Sequence, residues 1–510
     1  MYLKIPSRTR RAGARSLVMA VVAGTVLALT GAPAAAGPPL ADKLVNQVTI
    51  ANINRHLVAF QRFADTSEDR TRAAYTSGFR RSHEYVAGKL REAGFDVTVA
   101  EFDYDRRVTD ASTVVAGTTR ISPFPIIFSP NTPAGGVRGP LLAVPVDATS
   151  GCEASDYTGL DATGSIALVA RGGCTFAQKQ QVASDHGAQV ALVYNLAPGP
   201  GRGILTGTPN ETWIPTGLLS NAEGTELVAR AGQLADVDIR THIQPTPSRN
   251  LIAQTKTGRA NNVVLAGAQL DSEDDVPGIN DNATGAAALL ELAMRMGPSP
   301  KANNAVRFVF WGAEWTQSGS TDYRASLDFE QQLDIAMYLH FDMLGSPNGG
   351  HFVFDGDNSD GRGGGPYGTA QIEELIAGYL NGRGVQTEGT DYDGNSDHFG
   401  FHTLGIPSGG LYSGSFRLKT AAQVAKWGGR VDVAFDPCHQ TMCDNLGNVD
   451  RAELDRNADA MAYTVASYAI STEGVNGVPP RAARASQRSA AMRSAGPAAL
   501  APSTVGAVAY

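Results

Sequence analysis

Carboxylates close several apolar runs of this chain, in settings suited to binding a cation or moving a proton. Asp271 ends the run 263-VVLAGAQLD-271, Glu314 follows 306-VRFVFWGA-313, and Asp342 follows 337-MYLHF-341. Asp281 lies in the Gly/Asn-rich turn 277-PGINDN-282, and Asp393, Asp397 and His398 share 393-DGNSDHF-399. Any one of these alone reads as a turn former, a helix cap or a solvated loop carboxylate. Together at the ends of apolar runs they predict one cleft, in which clustered carboxylates either share a metal ion or titrate high.

The elements around them predict how such a cleft is built. From 249 to 472, strand-like runs (NNVVLAGAQL, AVRFVFWGAE, MYLHFDML, IPSGGLYSG) alternate with helical ones (GAAALLELAMRMG, QIEELIAGYLNGRG, LDRNADAMAYTVASYAI). This alternation predicts an α/β fold, a mostly parallel mixed sheet flanked by helices. Ligands of such sheets gather beyond the carboxyl ends of the strands, where Asp271, Glu314 and Asp342 fall. Residues 46–111 read as helices followed by an alternating strand. Residues 112–245 change texture to short β runs (GPLLAVPV, SIALVARG, VALVYNL) broken by Gly and Pro, a compact β-rich insert. The second part of the main domain is then 246–474.

The 510 residues suffice for two or three domains. A net charge of -8 argues against a nucleic-acid partner. A basic start, the apolar run 17–29 and the small residues of APAAA predict a signal peptide over 1–36, hence a secreted chain with no membrane segment in its mature form. Export permits disulfides, and the four cysteines fall into two local pairs, Cys152 with Cys174 and Cys438 with Cys443. The tail 475–510 is rich in Ala, Ser, Pro and Arg and is expected to be disordered or removable.

In order, AGAQLDS, GINDNATG, FVFWGAEW, YLHFDMLGSPN, GNSDHFGF, GIPSGGLYSG and FDPCHQTMCD resemble the motifs of the secreted bacterial di-zinc aminopeptidases, metallopeptidase family twenty-eight. The resemblance covers nearly all of 46–472. GSIALVARGGCTFAQKQQVASDHGAQVALVYN is similar to a protease-associated domain, which many relatives carry in this location. The resemblance implies removal of N-terminal residues from peptides or proteins by a zinc pair about 3.5–4 Å apart. It places Asp281 as the bridging ligand, Asp342 as a ligand of one zinc, Glu314 as general base and Asp271 as the carboxylate that orients a histidine ligand. It also implies peptide or protein N-termini in the cleft, a possible protein partner for the inserted domain, and a monomer.

Residue by residue, the match is broken. Gln269 stands where the first histidine ligand belongs, Trp315 where the glutamate ligand belongs, and Gln440 where the second histidine belongs. His439 falls at the position of a tyrosine that helps hold the oxyanion. Neutral amide oxygen is a poor zinc donor and indole offers none. The remaining set, Gln269, Asp281 and Asp342, suits calcium or magnesium better than zinc. His340 is expected to point away from the site, and His398 to be structural. Asp455 and Asp459, at i and i+4 of one helix, match a calcium position of some relatives, with an ordinary charge pair as the alternative. Two functional readings follow: a family member impaired or inactive as a di-zinc peptidase, or an active metallo-aminopeptidase with a single or remodelled metal site.

Overall fold

The computed structural model describes residues 39–196, 203–206, 210–392, 394, 396–476 and 483–486. The expected signal peptide, Asp393 and Asn395 lie outside them.

The strand Arg259–Gln269 is the centre of the parallel part of the sheet. It runs parallel to Asn304–Trp311 on one side and to Ile335–Phe341 on the other. Ile335–Phe341 pairs in parallel with Ser408–Tyr412. Ile335–Phe341 is buried along its whole length, as is Asn262–Ala268. Parallel strands covered on both faces need such continuous apolar runs, which is why 263–270 shows no alternation. One face packs under Leu289, Leu290, Met337, Leu339 and Phe341; the other carries Trp311, Tyr323, Tyr338 and Phe401.

Two long antiparallel strands, Val97–Ala116 and Leu234–Gln254, join this sheet to the insert. Leu251–Gln254 pairs with Arg307–Phe310, while Leu234–Val237 pairs with Val137–Pro140 of the insert. The described strands thereby form one 14-stranded sheet. In the insert, Val137–Ala143, Ile166–Ala170, Val190–Tyr194 and Thr216–Leu219 run parallel, with the helix Phe176–Asp185 against them. The positions 111/112 and 245/246, expected as domain limits, fall inside the long strands rather than in linkers. The alternating pattern of 97–104 continues as a single strand because a bulge at Thr109/Ala111 keeps its pairing in step with Leu234–Gln254.

The start of the expected tail is packed. Val475 is fully buried in the helix Glu473–Asn476, Asn476 donates to Asn262 Oδ1, and the Arg484 guanidinium donates to the carbonyls of Leu333 and Asn261. For these residues the expectation of disorder does not hold. A composition without periodicity still docks where a guanidinium satisfies orphan carbonyls at the amino end of a sheet. The rest of that tail lies outside the described residues.

Candidate metal centre

Asp271 stands just past Gln269, and the turn 312–317 follows Trp311, which pairs with Gln269 across the sheet. That turn is tight: Ala313 and Gln317 both adopt left-handed backbone, at φ 54° and 51°. Such conformations in non-glycine residues concentrate where the chain must aim a side chain. Here the buried Glu314 is aimed into the cleft, and its N–H donates to both oxygens of Asp271, at 3.3 and 3.2 Å. Asp271 therefore orients the Glu314 turn itself.

Ser396 donates to Glu314 Oε1 at 2.9 Å, while Oε2 has no hydrogen-bond partner among the described residues. Behind Glu314 runs a buried chain of polar groups. Trp311 Nε1 donates to Tyr338 OH at 2.9 Å, and Tyr338 OH donates to Asp397 Oδ1 at 2.5 Å. His340 Nδ1 lies 2.7 Å from the same Asp397 oxygen, and its ring is 5.0 Å from that of His398. His340 was expected to face away from the site. It faces the Asp397 wall because Tyr338, His340 and Asp342 are spaced by two along the chain and share a side of the strand. Burial, then Asp397, then Asp271 push the Glu314 carboxyl well above the ordinary glutamate range. Burial raises Asp271 to about 7, against the opposing hydrogen bond from Glu314.

Asp281 occupies the turn between the central strand and the helix Thr284–Met296. The backbone N–H groups of Asn280 and Asp281 donate to Asp444, at 2.7 and 3.0 Å. The Asn280 amide donates to Asp436 Oδ2 at 2.7 Å, and Asn282 ties the turn to Phe341 O at 2.8 Å. Both Asp281 oxygens face side chains. Gln269 Nε2 donates to Oδ1 at 3.2 Å, and His439 Nδ1 lies 3.3 Å from Oδ2. Burial raises the Asp281 carboxyl, His439 opposes the rise, and Asp436 adds to it. Asp342 is pushed well above its ordinary value by burial and then by Asp281 and Asp397, and its Oδ1 has no partner.

The sequence reading aligned Gln440 with the histidine ligand and His439 with the oxyanion position. In the structure His439 reaches Asp281. Gln440, half-buried at φ 56°, makes no side-chain hydrogen bond among the described residues. The reason is the turn that follows Cys438, with Thr441 N–H donating to Cys438 O at 3.0 Å, inside the Cys438–Cys443 disulfide. The other expected pair, Cys152–Cys174, is also bonded. Trp315 is half-buried next to the base.

Three participants, Arg72, Asp436 and Asp444, were given no role by the sequence reading. Arg72 is wholly buried, its guanidinium donating to the carbonyls of Leu270, Pro277 and Gly278. Its charge faces Asp271, Asp444 and Asp281, and burial lowers it to about 10. Asp444 is raised to about 8 by burial and Asp436. Asp436 also fixes the disulfide loop by accepting from Cys438 N–H at 2.8 Å. The DPC and CD dipeptides around the cysteines were the available signal for the two aspartates; nothing local marks Arg72.

These residues do not fit a zinc pair. Gln269 presents its N–H to Asp281, Trp315 has no donor atom, and only His439 adds an imidazole. Among the described residues, the acid or histidine groups whose ligand atoms converge within 4.8 Å are Asp355, Asp357 and Glu373, and no cleft residue belongs to that set. Asp281, Asp342 and His439 thus do not converge on a shared ion as a three-ligand zinc site requires. Asp455 Oδ1 accepts from Ile50 N–H at 3.2 Å, at the start of the helix Ile50–Asp65, and Asp459 is raised to about 6 by burial and by Asp455.

The comparisons agree with this fold. Residues 250–465 match peptidase family M28, and residues 137–227 match the PA domain. A protein of Mycobacterium tuberculosis named a probable lipoprotein aminopeptidase is 41% identical over 89% of this chain and 92% of its own. An aminopeptidase of Pseudomonas aeruginosa is 36% identical over 84% of this chain and 82% of its own. The structure of a zinc aminopeptidase from Bacillus subtilis superposes with a TM-score of 0.64 at 23% identity, covering 81% of this chain and 94% of that one. No helix among the described residues is long and apolar enough to cross a membrane. The chain therefore belongs to peptidase family M28, an aminopeptidase family, with a PA domain set ahead of the peptidase domain.

Proposed function

We propose that this chain is an exported member of the family whose cleft receives peptide N-termini but whose zinc-dependent hydrolysis is impaired. The observation that carries this reading is Asp281: the carboxylate in the bridging position meets Gln269 at one oxygen and His439 at the other. An amide donor and a nearby imidazole stand there in place of a second metal's ligands. An α-ammonium group suits the remaining cleft, because the unpartnered Glu314 Oε2 and Asp342 Oδ1 are buried acceptors for a cationic donor. Asp271 and Arg72 act here as positioning residues that hold the Glu314 turn and the Asp281 turn. The domain limits that go with this reading are a signal peptide over 1–36, a peptidase domain over 46–111 and 246–474, and a protease-associated domain over 112–245 as a surface for a protein partner.

One observation favours the second reading, an active enzyme with a remodelled metal site. The 3.3 Å between His439 Nδ1 and Asp281 Oδ2 equals the spacing of two donors on one tetrahedral zinc, and His439 Nδ1 makes no well-formed hydrogen bond. Elemental analysis and turnover of an aminoacyl chromogenic substrate, on protein purified from the culture medium, separate the two. Well under two zinc ions per chain with no chelator-sensitive turnover is the expected result. Chelator-sensitive cleavage abolished by Glu314→Gln would establish the second reading.

A further inference from the structure

Outside the cleft, the segment Asp355–Gly368 joins the strand Phe352–Phe354 to the helix Thr369–Asn381. Asp355 is fully buried at its base. Asp355 Oδ2 accepts the N–H groups of Asp360 and Arg362, at 3.2 and 2.8 Å, yet its buried Oδ1 has no hydrogen-bond partner among the described residues. Glu373, a turn into the helix, reaches back and accepts from Gly356 and Asp357 N–H with Oε2, at 2.7 and 3.3 Å. The exposed Asp357 completes the group: one ligand oxygen from each of the three lies within 4.8 Å of the others. Among the described residues Arg362 and Arg417, the nearby arginines, reach Asp391, at 3.6 and 3.8 Å.

We propose that Asp355, Asp357 and Glu373 form a calcium site that closes this segment onto the helix. The buried, unpartnered Asp355 oxygen is the observation that points to an ion: a carboxylate oxygen shut away from water needs a donor or a cation. The donor set selects calcium: oxygen ligands alone suit a hard cation, and Ca²⁺ tolerates an irregular loop where Mg²⁺ demands near-octahedral order. Three carboxylates from a loop and a helix, one of them at the surface, leave the remaining positions to carbonyls and water, which Ca²⁺ accepts and Zn²⁺ does not favour. Sites of this kind outside cells bind at about 10⁻⁴–10⁻³ M. The ion would stabilise the edge strand Glu388–Thr390, which is parallel to Phe352–Phe354 and whose Gly389 N–H donates to Asp360.

The test uses the full chain, stripped with chelator and dialysed, in calorimetric titration and thermal melts with CaCl2 or MgCl2 at about 5 mM. The expected result is saturable Ca²⁺ binding and a rise in Tm of about 2 °C or more, larger than with Mg²⁺. Asp357→Asn, at an exposed position, should keep the calcium-free Tm and lose at least about 10-fold in Ca²⁺ affinity. Glu373→Gln should behave alike, whereas Asp342→Asn in the cleft should leave the calcium response intact. No calcium response in the wild type, an equal response to Mg²⁺, or an undiminished response in Asp357→Asn and Glu373→Gln would each overturn the assignment.

Discussion

His439 Nδ1 lies 3.3 Å from Asp281 Oδ2, across the small space that a bridging carboxylate would share with a second metal. Both side chains are largely shielded from solvent, so the pair is a stabilising contact in the metal-free protein. His439→Ala should lower stability by about 1–2 kcal/mol in chelated protein, since it removes the close imidazole contact from a buried carboxylate. Denaturant titration of the two proteins checks this. An unchanged midpoint would show that Asp281 gains nothing from the imidazole.

The same relationship simplifies the repair of the metal site. Because His439, not Gln440, reaches Asp281, the disulfide loop needs no substitution. Gln269→His combined with Trp315→Glu should raise zinc content toward two per chain and confer aminopeptidase turnover. Either change alone should do neither, as each leaves one metal a ligand short. Elemental analysis with a chromogenic substrate reads both, and Glu314→Gln in the repaired background should abolish turnover without releasing zinc.

The Asp271 carboxyl should stabilise the metal-free protein when it is protonated. Burial raises Asp271 from 3.8 to about 7, so between those values the folded state keeps a proton that the unfolded chain has released. Stability from this group is fully present below about pH 4, declines as pH rises toward 7, and is flat beyond, with a slope on the order of 1 kcal/mol per pH unit inside the window. Asp444, raised to about 8, extends the decline upward. Asp271→Asn should flatten the Tm profile between pH 5 and pH 7, which melts across that range will show.

The Cys438–Cys443 bond should matter more for position than for stability. So short a loop yields at most about 2–3 kcal/mol. Cys438→Ser with Cys443→Ser should therefore keep the fold while erasing the effect of His439→Ala, because the imidazole is no longer held against Asp281. A double-mutant cycle on the denaturation midpoints measures that coupling; full additivity would exclude it.

Gly267 lies against the polar chain behind Glu314. A Cβ there would sit 2.2 Å from Tyr338 OH and 2.7 Å from Trp311 Nε1. Gly267→Ala should cost about 1–3 kcal/mol by displacing Tyr338 from Asp397. Tyr338→Phe, which removes the hydroxyl, should relieve part of that cost in the double variant.

The sequence alone determined what is local. The apolar run 263–270 specifies a strand covered on both faces, the PGINDN turn and the helix 284–296 follow from their own composition, and Asp271, Asp281, Glu314 and Asp342 are legible as strand-end carboxylates. Gln269 and Trp315 are legible too as departures from a zinc ligand set, because ligand identity resides in the residue itself. Tertiary structure decided the rest. Which of His439 and Gln440 faces Asp281 depends on how a disulfide-closed turn is rotated against a helix start far away in the chain. Arg72 joins Asp271, Asp281 and Asp444 only when the turn before the helix Ser77–Glu92 packs on the sheet end. Asp355 and Asp357 are neighbours by sequence, but Glu373 meets them only because its helix turns back over the loop. Side-chain type is fixed residue by residue, whereas the partner of a buried charge is fixed by packing between segments that no local pattern connects.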